Sequence, residues 1–522
     1  MANITLPSNP VNGQTVVIGT RLFQYDSTAG RWKSRVFRVL GDTSVTVTNE
    51  APTISASLSE IALDTSGANV SFTYTVSDVD SSVLKVSHSV SGIANSDLAT
   101  VTHHRANNTV TITAGTEAFS NGQITLTVTD GRNNATDTVD VSTAYIDWSN
   151  TSFQQKLLAS NAGGTDYFGD ALSIDGDTII VGAPREDTGA STSGSAYVFT
   201  RSGSTWTEQQ KIDHPEPETG DQFGFSVAIS GDTVVVGAPY HDIPSGGAGA
   251  AYIFTRSGST WTQQQKIQSS DIEGGDDFGY SVAISGDTVI VGAFDESSAG
   301  AAYIFTRTGS TWTQQQKITA SDIQSNDDYG ISVSIDGDTV IVGSWWEDTT
   351  ASGAGSAYIY TRSGSTWTEQ QKIQASDAEE NGYFGYSVAI SGDTVIVGAY
   401  LAKYLGDFAG AAYIYTRSGS TWTEQQKIRS SDIQDSDQFG WSVAIEGDTA
   451  IVGAPAEDTN EISAGAAYIF TRSGSTWTEQ KKIQPTDVVS QDRFGRKVRI
   501  SGNTVVGGRI DGTGKADVYI AG

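Results

Sequence analysis

The sequence predicts an all-β protein with a small N-terminal β-module (1–48), a β-sandwich (49–145) and a seven-bladed β-propeller (146–522) closed by an N-terminal outer strand. Three observations support this prediction. One pattern is repeated seven times after residue 147. The apolar runs within each repeat are short and separated by Gly-containing turns, which is typical of strands. Residues 49–145 alternate apolar and polar side chains in short runs, which is typical of a sandwich.

Two phrases define the repeat. FGYSVAISGDTVIVGA at 278–293 opens one unit, and YIFTRSGSTWTQQQKI at 252–267 closes another. The opening aromatic–Gly pair recurs every 55 residues, with one spacing of 51, and begins at Phe168, Phe223, Phe278, Tyr329, Phe384, Phe439 and Phe494. A fixed period of this length is the signature of stacked, similar units.

Each unit has the strand pattern of a propeller blade. SVAIS (281–285) and TVIVGA (288–293) are apolar runs separated by Gly-Asp, whereas AAYIFTR (301–307) and TWTQQQKI (311–318) are separated by Gly-Ser. The first two strands suit positions covered by neighbouring blades, and the polar fourth strand suits an outer edge. The repeated aromatic and Trp residues are therefore interpreted as packing residues.

Closure of the ring tests this interpretation. The seventh unit contains three strands, in RKVRIS, NTVVGG and KADVYIAG, and lacks the fourth. TSFQQKLLAS at 151–160 matches the missing fourth strand through its QQKL. A strand that precedes the first blade is thus predicted to complete the last one.

The two N-terminal parts are also predicted to be β-structure. Residues 49–145 contain VSFTYTVSD, TVTIT and QITLTVTDG, and their APTISASL and FTYTVSDVD segments resemble cadherin-like or bacterial Ig-like domains. That resemblance implies a spacer. Residues 1–48 contain two or three short strands, and a module of this size usually needs a partner or an oligomer for stability.

Charge and composition limit the partners. The net charge is −29, although residues 1–48 carry five basic and two acidic side chains. Such an acidic body disfavours nucleic acid and anionic membranes. The chain has no cysteine, and its N-terminus has neither a charged region nor an apolar region typical of a Sec signal. We therefore expect no nucleic-acid partner, no membrane insertion and no export by that route.

The repeat resembles the FG-GAP repeat of integrin α-subunit propellers and their bacterial and viral relatives. FG…VAISGDTVIVGAP, from Phe223-Gly224 to Gly237-Ala238-Pro239, carries the resemblance. In that family the loop between the first two strands often binds calcium. Here the loop is as short as Asp175-Gly176-Asp177-Thr178, which cannot supply six to eight oxygen ligands. No metal site and no cofactor are predicted.

The N-terminal 48 residues resemble short modules at the attachment end of bacteriophage tail-fibre and other virion proteins. The resemblance lies in the sequence pattern NPxxGQT…FQYD…GRW. The resemblance implies a virion protein that is made in the host cytoplasm and acts outside the cell, which fits the missing export signal. The predicted attachment residues are Arg31, Trp32, Lys33 and Arg35.

Variation between repeats predicts a binding face. The turns within the two hairpins of each unit are nearly identical copies, whereas the segments after GA and before FG differ. In a blade these two variable connections lie on the same face, and variable loops on a fixed scaffold often bind ligands. The candidate ligand-binding residues are Trp345, Trp346, Tyr240, Phe294, Tyr400 and Tyr404. The alternative is that these aromatics plug the central channel or pack loop against loop.

Catalysis is not predicted. The five histidines, His88, His103, His104, His214 and His241, show no ligand spacing, and G-x-S-x-G and phosphate-loop motifs are absent. RSGSTW resembles the end of a sialidase Asp-box, but Arg stands at the Asp position. Carboxylates are so frequent that a pair at glycosidase spacing is expected by chance, and the acidic loops are more simply solvated than bound to cations.

The leading hypothesis is a phage virion fibre or appendage protein. Its N-terminal region would bind other virion proteins, and its propeller would bind a host surface glycan or envelope protein. The alternatives are a decoration protein of capsid or tail that binds other virion subunits, a bacterial surface adhesin and a glycan-cleaving propeller. A homotrimer is compatible with a fibre, although no coiled coil enforces one.

Overall fold

A computed structural model describes residues 147–522 except 162, 164, 243–244, 405–407, 511–513 and 522, and also the strands and their pairing before residue 147. The chain divides into two compact units, Met1–Tyr145 and Ile146–Gly522. The division of the first unit near residue 48 stays a prediction.

The described strands of the first unit form three sheets. One is a three-stranded antiparallel sheet of Thr15–Ile18, Arg21–Asp26 and Arg31–Val36. A second has the order Thr53–Ala56, Asn69–Ser77, Thr109–Ala114 and Leu98–His104. A third has the order Glu60–Leu63, Asn134–Thr143, Gly122–Thr129 and Lys85–Ser91, with its first pair parallel. Their packing as an Ig-like sandwich stays a prediction.

The second unit confirms the predicted seven-bladed β-propeller. It consists of seven four-stranded antiparallel sheets, called blades 1 to 7 in chain order of their first strands. The first strands of neighbouring blades contact one another, and the first strand of blade 7 contacts that of blade 1, so the ring is closed. Within the described residues, helical structure is limited to the 3₁₀ turns Trp148–Asn150 and Glu296–Ser298.

The strands of blades 1 to 7 have the following bounds. The first strands are Ala171–Asp175, Ser226–Ser230, Ser281–Ser285, Tyr329–Asp336, Phe384–Ser391, Ser442–Glu446 and Lys497–Ser501. The second strands are Thr178–Ala183, Thr233–Ala238, Thr288–Ala293, Thr339–Ser344, Thr394–Ala399, Thr449–Ala454 and Thr504–Arg509. The third strands are Ser195–Ser202, Ala250–Ser257, Ala301–Thr308, Ser356–Ser363, Ala411–Ser418, Ala466–Ser473 and Lys515–Ile520. The outer strands are Thr205–Asp213, Thr260–Ile267, Thr311–Ile318, Thr366–Ile373, Thr421–Ile428, Thr476–Ile483 and, for blade 7, Ser152–Leu157.

Blade 7 takes its outer strand from the N-terminal side of the propeller. Ser152–Leu157 pairs antiparallel with Lys515–Ile520, and Ser152 lies opposite Ile520. Trp148, just before this strand, is buried against residues of blades 6 and 7. The segment 151–160 therefore supplies the strand that the seventh repeat lacks.

Close contact between blades explains the repeated FG and GA phrases. The aromatic residue of each FG pair is buried in every blade. A Cβ atom on Gly237 of blade 2 would lie 2.0 Å from the carbonyl oxygen of Gly279, the FG glycine of blade 3. Gly279 itself has a φ of +99°, which favours glycine. The two glycines thus permit one backbone to approach the next.

The repeated glutamines and tryptophans join neighbouring blades. Gln210 Nε2 donates to the carbonyl of Trp261 at 2.8 Å, and the Trp261 N–H donates back to Gln210 Oε1 at 2.7 Å. The Trp261 side chain is 2% exposed, and its indole N–H donates to Gln209 Oε1 at 3.0 Å. We call the two-way glutamine–backbone contact the Gln–Trp clamp. It occurs at six joints, in Gln155–Trp206, Gln210–Trp261, Gln265–Trp312, Gln316–Trp367, Gln371–Trp422 and Gln426–Trp477.

Candidate functional site

The two variable connections of each blade lie on one face of the ring, which we call the loop face. The residue before each third strand bridges the FG aromatic that opens the next blade, as Gly194 does with Phe223 and Gly249 with Phe278. The connection between the second and third strands therefore contacts the connection that enters the next first strand. This places the sequence variation on a continuous surface.

The opposite face consists of the two hairpin turns that are nearly identical in every blade. Asp177 of the first turn accepts a hydrogen bond from Arg201 Nε at 2.7 Å. Arg201 also donates to Thr504 of blade 7 at 3.0 Å and lies over Trp206 at 5.2 Å from the ring centre. The same Asp–Arg pairing occurs in blades 1 to 6. These turns therefore carry structural ion pairs.

A cavity lies on the axis, lined by the first strands. Its cavity volume is about 130 Å³, and it is partly open to solvent. The residue directly after each aromatic–Gly pair lines it, and we call these seven residues the mouth ring. They are Asp170, Phe225, Tyr280, Ile331, Tyr386, Trp441 and Arg496.

Six aromatic residues form a continuous group on blades 4 to 6, which we call the large aromatic cluster. Trp345 lies 5.4 Å from Trp346 and 4.8 Å from Tyr383, measured between ring centres. Tyr383 stacks on Trp346 at 5.2 Å and lies 5.5 Å from Tyr400. The members are Trp345, Trp346, Tyr383, Tyr386, Tyr400 and Trp441.

The large aromatic cluster leads from the surface to the cavity. Trp346 is 37% exposed, whereas Tyr400, which contacts the same Tyr383 ring, is buried. Tyr386 and Trp441, which lie 4.8 Å apart, belong to both this cluster and the mouth ring. Trp346 is thus accessible and its ligand-binding role stays a prediction, while Tyr400 packs against neighbouring aromatic rings.

Trp345 is fixed by a buried carboxyl group. Its indole N–H donates to Asp328 Oδ2 at 2.7 Å. Burial raises the pKa of Asp328 to about 6, although this hydrogen bond works in the opposite direction. Trp345 thus has a set orientation beside Trp346, which reduces the conformational entropy that a ligand would have to remove.

Two more predicted residues belong to a second group on blades 2 and 3. Tyr240 lies 5.9 Å from Phe225, and Phe294 lies 4.5 Å from Tyr280. Phe225 and Tyr280 contact each other at 4.7 Å in the mouth ring. This smaller cluster borders the cavity and is separate from the contacts of the large aromatic cluster.

The remaining predicted residues lie elsewhere. Tyr404 is 39% exposed and has the guanidinium of Arg429 over its ring at 5.0 Å, without a ring contact to either aromatic cluster. The side chains of the predicted attachment residues lie outside the described residues. Their backbone belongs to the strand Arg31–Val36.

Sequence reasoning missed the residues on either side of the FG pair. Tyr383 precedes the pair, in a segment predicted to be variable but without being named as a candidate, whereas Tyr386 and Trp441 follow the pair, inside the stretch interpreted as repeated core. A signal was present, because the residue after FG differs in nearly every blade while its neighbours are almost constant.

Blade 7 places three cationic side chains in the cavity. Arg496, Lys497 and Arg499 line it together with the single carboxylate Asp170. Arg496 Nε donates to Asp170 Oδ1 at 2.6 Å and its guanidinium lies 5.5 Å from the ring centre of Trp441. The motif FGRKVRIS in place of FGYSVAIS was the available sequence signal.

Two histidines that are distant in sequence meet in blade 2. Ligand atoms of His214, Asp221 and His241 all lie within 4.8 Å of one another, and the three side chains are fully buried. His241 takes the position of a buried glutamate in four other blades, Glu186, Glu296, Glu347 and Glu457, each of which pairs with an outer-strand lysine. Sequence spacing alone did not predict this cluster.

Hydrogen bonding favours a structural role for this histidine cluster. His214 Nδ1 accepts from the Glu216 N–H at 3.0 Å, and Lys266 Nζ lies 2.8 Å from His241 Nε2. The imidazole protons are then on the nitrogens that face Asp221, at 3.5 and 3.3 Å. A metal ion would need lone pairs on those same nitrogens. Burial also lowers the pKa of His214 to about 4, so it stays neutral near pH 7.

The fold and the loop face define a seven-bladed β-propeller with a binding or structural role. The FG-GAP repeat family matches more than half of the chain, in seven segments at 151–199, 206–254, 261–305, 312–360, 367–415, 422–470 and 477–520. The chain belongs to the FG-GAP repeat family. Each matched segment begins in an outer strand, or one residue before it in the first segment, and ends in the third strand of the following blade.

Two solved structures are similar to part of the chain at low identity. A candidate 6-phosphogluconolactonase from Bacteroides uniformis has 10% identity and a TM-score of 0.44, and the match covers 70% of this chain and 92% of that one. The β-propeller domain of the Trilobed protease from Pyrococcus furiosus has 9% identity and a TM-score of 0.42, with 69% and 94% covered. With identities near 10% and TM-scores below 0.5, these two structures do not indicate an activity for this chain.

No curated protein gives a significant sequence match. Among the described residues, no helix has the length and apolar character needed to cross a membrane.

Proposed function

We propose that the protein is a virion fibre or appendage protein whose propeller binds a host cell surface through the loop face. The ligand is a glycan or an envelope protein, and the protein is not an enzyme. The large aromatic cluster is the observation that carries the binding part of this proposal. Trp346 is exposed above rings that are already packed, and such preordered aromatics stack on sugar rings or anchor protein contacts.

The viral part of the proposal rests on the N-terminal resemblance. The first 48 residues are the proposed attachment to other virion proteins, with the basic Arg31–Arg35 segment as the contact. The protein would be made in the host cytoplasm and act outside the cell as part of the particle. An acidic body of net charge −29 supports contact with neutral or basic surfaces rather than with nucleic acid.

A decoration protein that binds other virion subunits is the second candidate. Isolated apolar side chains on the loop face favour it, because Ile462 is 69% exposed and Val489 is 49% exposed. Their segments are adjacent, since the Gln491 N–H donates to the Ile462 carbonyl at 2.8 Å. Such side chains contribute more to a protein interface than to a sugar site.

Binding of the full chain to bacterial cells and to arrayed bacterial surface polysaccharides tests the proposal. The comparison uses Trp346→Ala, with Ile462→Ala as a control on the same face and outside the aromatic cluster. We expect saturable binding that weakens by roughly tenfold or more in Trp346→Ala and is unchanged in Ile462→Ala. A folded chain that binds no cell or polysaccharide would support the decoration hypothesis instead.

A further inference from the structure

We propose that the central cavity is a binding site for one oxyanion group, a carboxylate, sulfate or phosphate, held between Lys497 and Arg499 of blade 7. The site lies on the propeller axis, and the proposal does not depend on what the loop face binds.

Comparison of the blades shows how unusual these two cations are. The position of Lys497 is occupied in blades 1 to 6 by Ala171, Ser226, Ser281, Ser332, Ser387 and Ser442. The position of Arg499 is occupied by Ser173, Ala228, Ala283, Ser334, Ala389 and Ala444. A small side chain is therefore sufficient for the fold at both positions, and blade 7 places positive charge there instead.

Neither cation has a direct ion pair among the described residues, although the charge of Asp170 acts on Lys497 from a distance. Within the part of the chain that the structure describes, Lys497 Nζ has no hydrogen bond or ion pair, and Arg499 donates only to the backbone carbonyl of Val498, at 2.8 Å. The single cavity carboxylate, Asp170, is bound to Arg496. Three cations thus face one anion in a confined space, where unpaired charge is costly.

Burial affects the protonation of these groups. It lowers the pKa of Lys497 to about 8, with repulsion from Arg499 as the next cause. Burial also lowers the pKa of Arg499 to about 10. Both groups therefore remain mainly charged at pH 7 although the folded protein disfavours their charge. A bound anion would remove this cost.

Hydroxyl groups beside blade 7 add neutral donors. Ser387 and Ser442 accept hydrogen bonds from Val443 N–H and Val498 N–H, both at 3.0–3.1 Å. Their own protons have no acceptor among the described residues. The corresponding serines of blades 2 to 4 instead donate to carbonyls of the next blade. The uncommitted hydroxyls thus lie in the two blades that precede the cations.

The shape of the entrance limits the ligand. The mouth ring contributes Phe225, Tyr280, Tyr386 and Trp441 to the cavity wall, so a group that enters passes aromatic faces. A free inorganic anion fits this route, as does the carboxylate of an acidic sugar whose ring contacts the aromatics. A long polyanion is disfavoured by the net charge of −29.

Calorimetric titration of the full chain with sodium sulfate, sodium glucuronate and neutral glucose, at constant ionic strength and pH 7, tests the site. We expect one saturable site for an anion and none for glucose. Tighter binding of glucuronate than of sulfate would identify an acidic sugar as the source of the oxyanion. Binding of sulfate alone would identify a free inorganic anion.

Three variants locate the binding. Lys497→Ser and Arg499→Ala introduce residue types that the other blades carry at these positions, and each is expected to weaken anion binding at least tenfold. Lys481→Gln is the control, because it removes the same charge from an outer strand where other blades have Gln. No saturable anion binding by the folded chain, or equal binding in Lys497→Ser/Arg499→Ala, would overturn the proposal. Because Trp346 is not a cavity residue, the loop-face test can fail or succeed independently.

Discussion

At the scale of single residues, Lys497 is a position where the fold does not require a charge but the proposed anion site does. Its counterparts in five blades are serines, and its own ammonium group has no described partner. The cavity groups that surround it are Asp170, Tyr280, Tyr386, Arg496 and Arg499. Asp170 is engaged by Arg496, and burial raises the pKa of both tyrosines, so they remain neutral. Because burial lowers the pKa of Lys497, we expect its charge to reduce the stability of the folded propeller.

Lys497→Met is expected to stabilise the propeller at pH 7 by about 1–3 kcal/mol, because it keeps the aliphatic stem and removes the uncompensated charge. The folded pKa is lowered from 10.5 to about 8. The cost of the charge is thus fully present below pH 8 and is relieved as pH rises towards 10.5. Urea unfolding at pH 7 and pH 10 measures the difference, which should be smaller at pH 10. Equal stability of the two proteins at pH 7 would contradict this assignment.

The anion affinity has its own pH dependence. A bound oxyanion raises the pKa of Lys497, so binding above pH 8 requires uptake of a proton and becomes weaker as pH rises. Calorimetry with sodium sulfate at pH 7 and pH 9 in buffers of different ionisation enthalpy should show proton uptake only at pH 9. If proton uptake persists in Lys497→Ser, the group that takes up the proton is not Lys497.

At the scale of elements, the outer strand does more than cover a blade edge. The sequence predicted a polar fourth strand at the outer edge of each blade, and the structure confirms that strand. The structure shows in addition that Gln316 bonds both the N–H and the carbonyl of Trp367, at 2.8 Å each. These partners are 51 residues apart, so alternation within one strand could not reveal them. They depend on the rotation between blades.

Loss of one Gln–Trp clamp is expected to lower stability. Gln316→Ala removes both partners of the Trp367 peptide groups and should cost about 1–3 kcal/mol. Gln480→Ala is the matched control, because Gln480 occupies an outer strand but bonds only to Thr478, at 3.2 Å. The free energy of unfolding from urea titration separates the two. A similar loss in both variants would show that the clamp contributes no specific stability.

At the scale of the whole molecule, the repeat made the ring predictable, whereas the site depended on departures from the repeat. Trp345, Trp346 and Tyr400 were found because their loops differ in sequence. Tyr386 and Lys497 were missed because they lie inside the repeated motif whose other residues form core strands. Their common surface exists only after seven first strands surround one axis. The apolar pattern within a repeat predicts each strand. Which side chains contact one another across the cavity depends on closure of the ring.

The joint that closes the ring differs from the other six. Blade 6 has Lys481 in place of the clamp glutamine, and Lys481 Nζ donates to the Ser149 carbonyl at 3.3 Å. Trp148 is buried at this joint and donates from its indole nitrogen to Thr449 at 3.2 Å. Closure thus relies on Ser152–Leu157 and the residues just before it, which join the N-terminal side of the propeller to blade 7.

A disulfide at this joint is expected to stabilise the propeller more than one in an ordinary hairpin. Ser152→Cys/Ile520→Cys links directly opposite residues, and the parent chain has no cysteine to compete. In the loop-entropy description a loop of this length contributes about 6 kcal/mol, whereas Ser257→Cys/Thr260→Cys, across one hairpin turn of blade 2, contributes about 2 kcal/mol. Thermal unfolding of both variants, oxidised and reduced, measures the two effects. If unfolding begins by release of the Ser152–Leu157 strand, the closure disulfide should also slow unfolding, which the hairpin disulfide should not. Equal gains and equal unfolding rates would mean that the ring opens at a different joint.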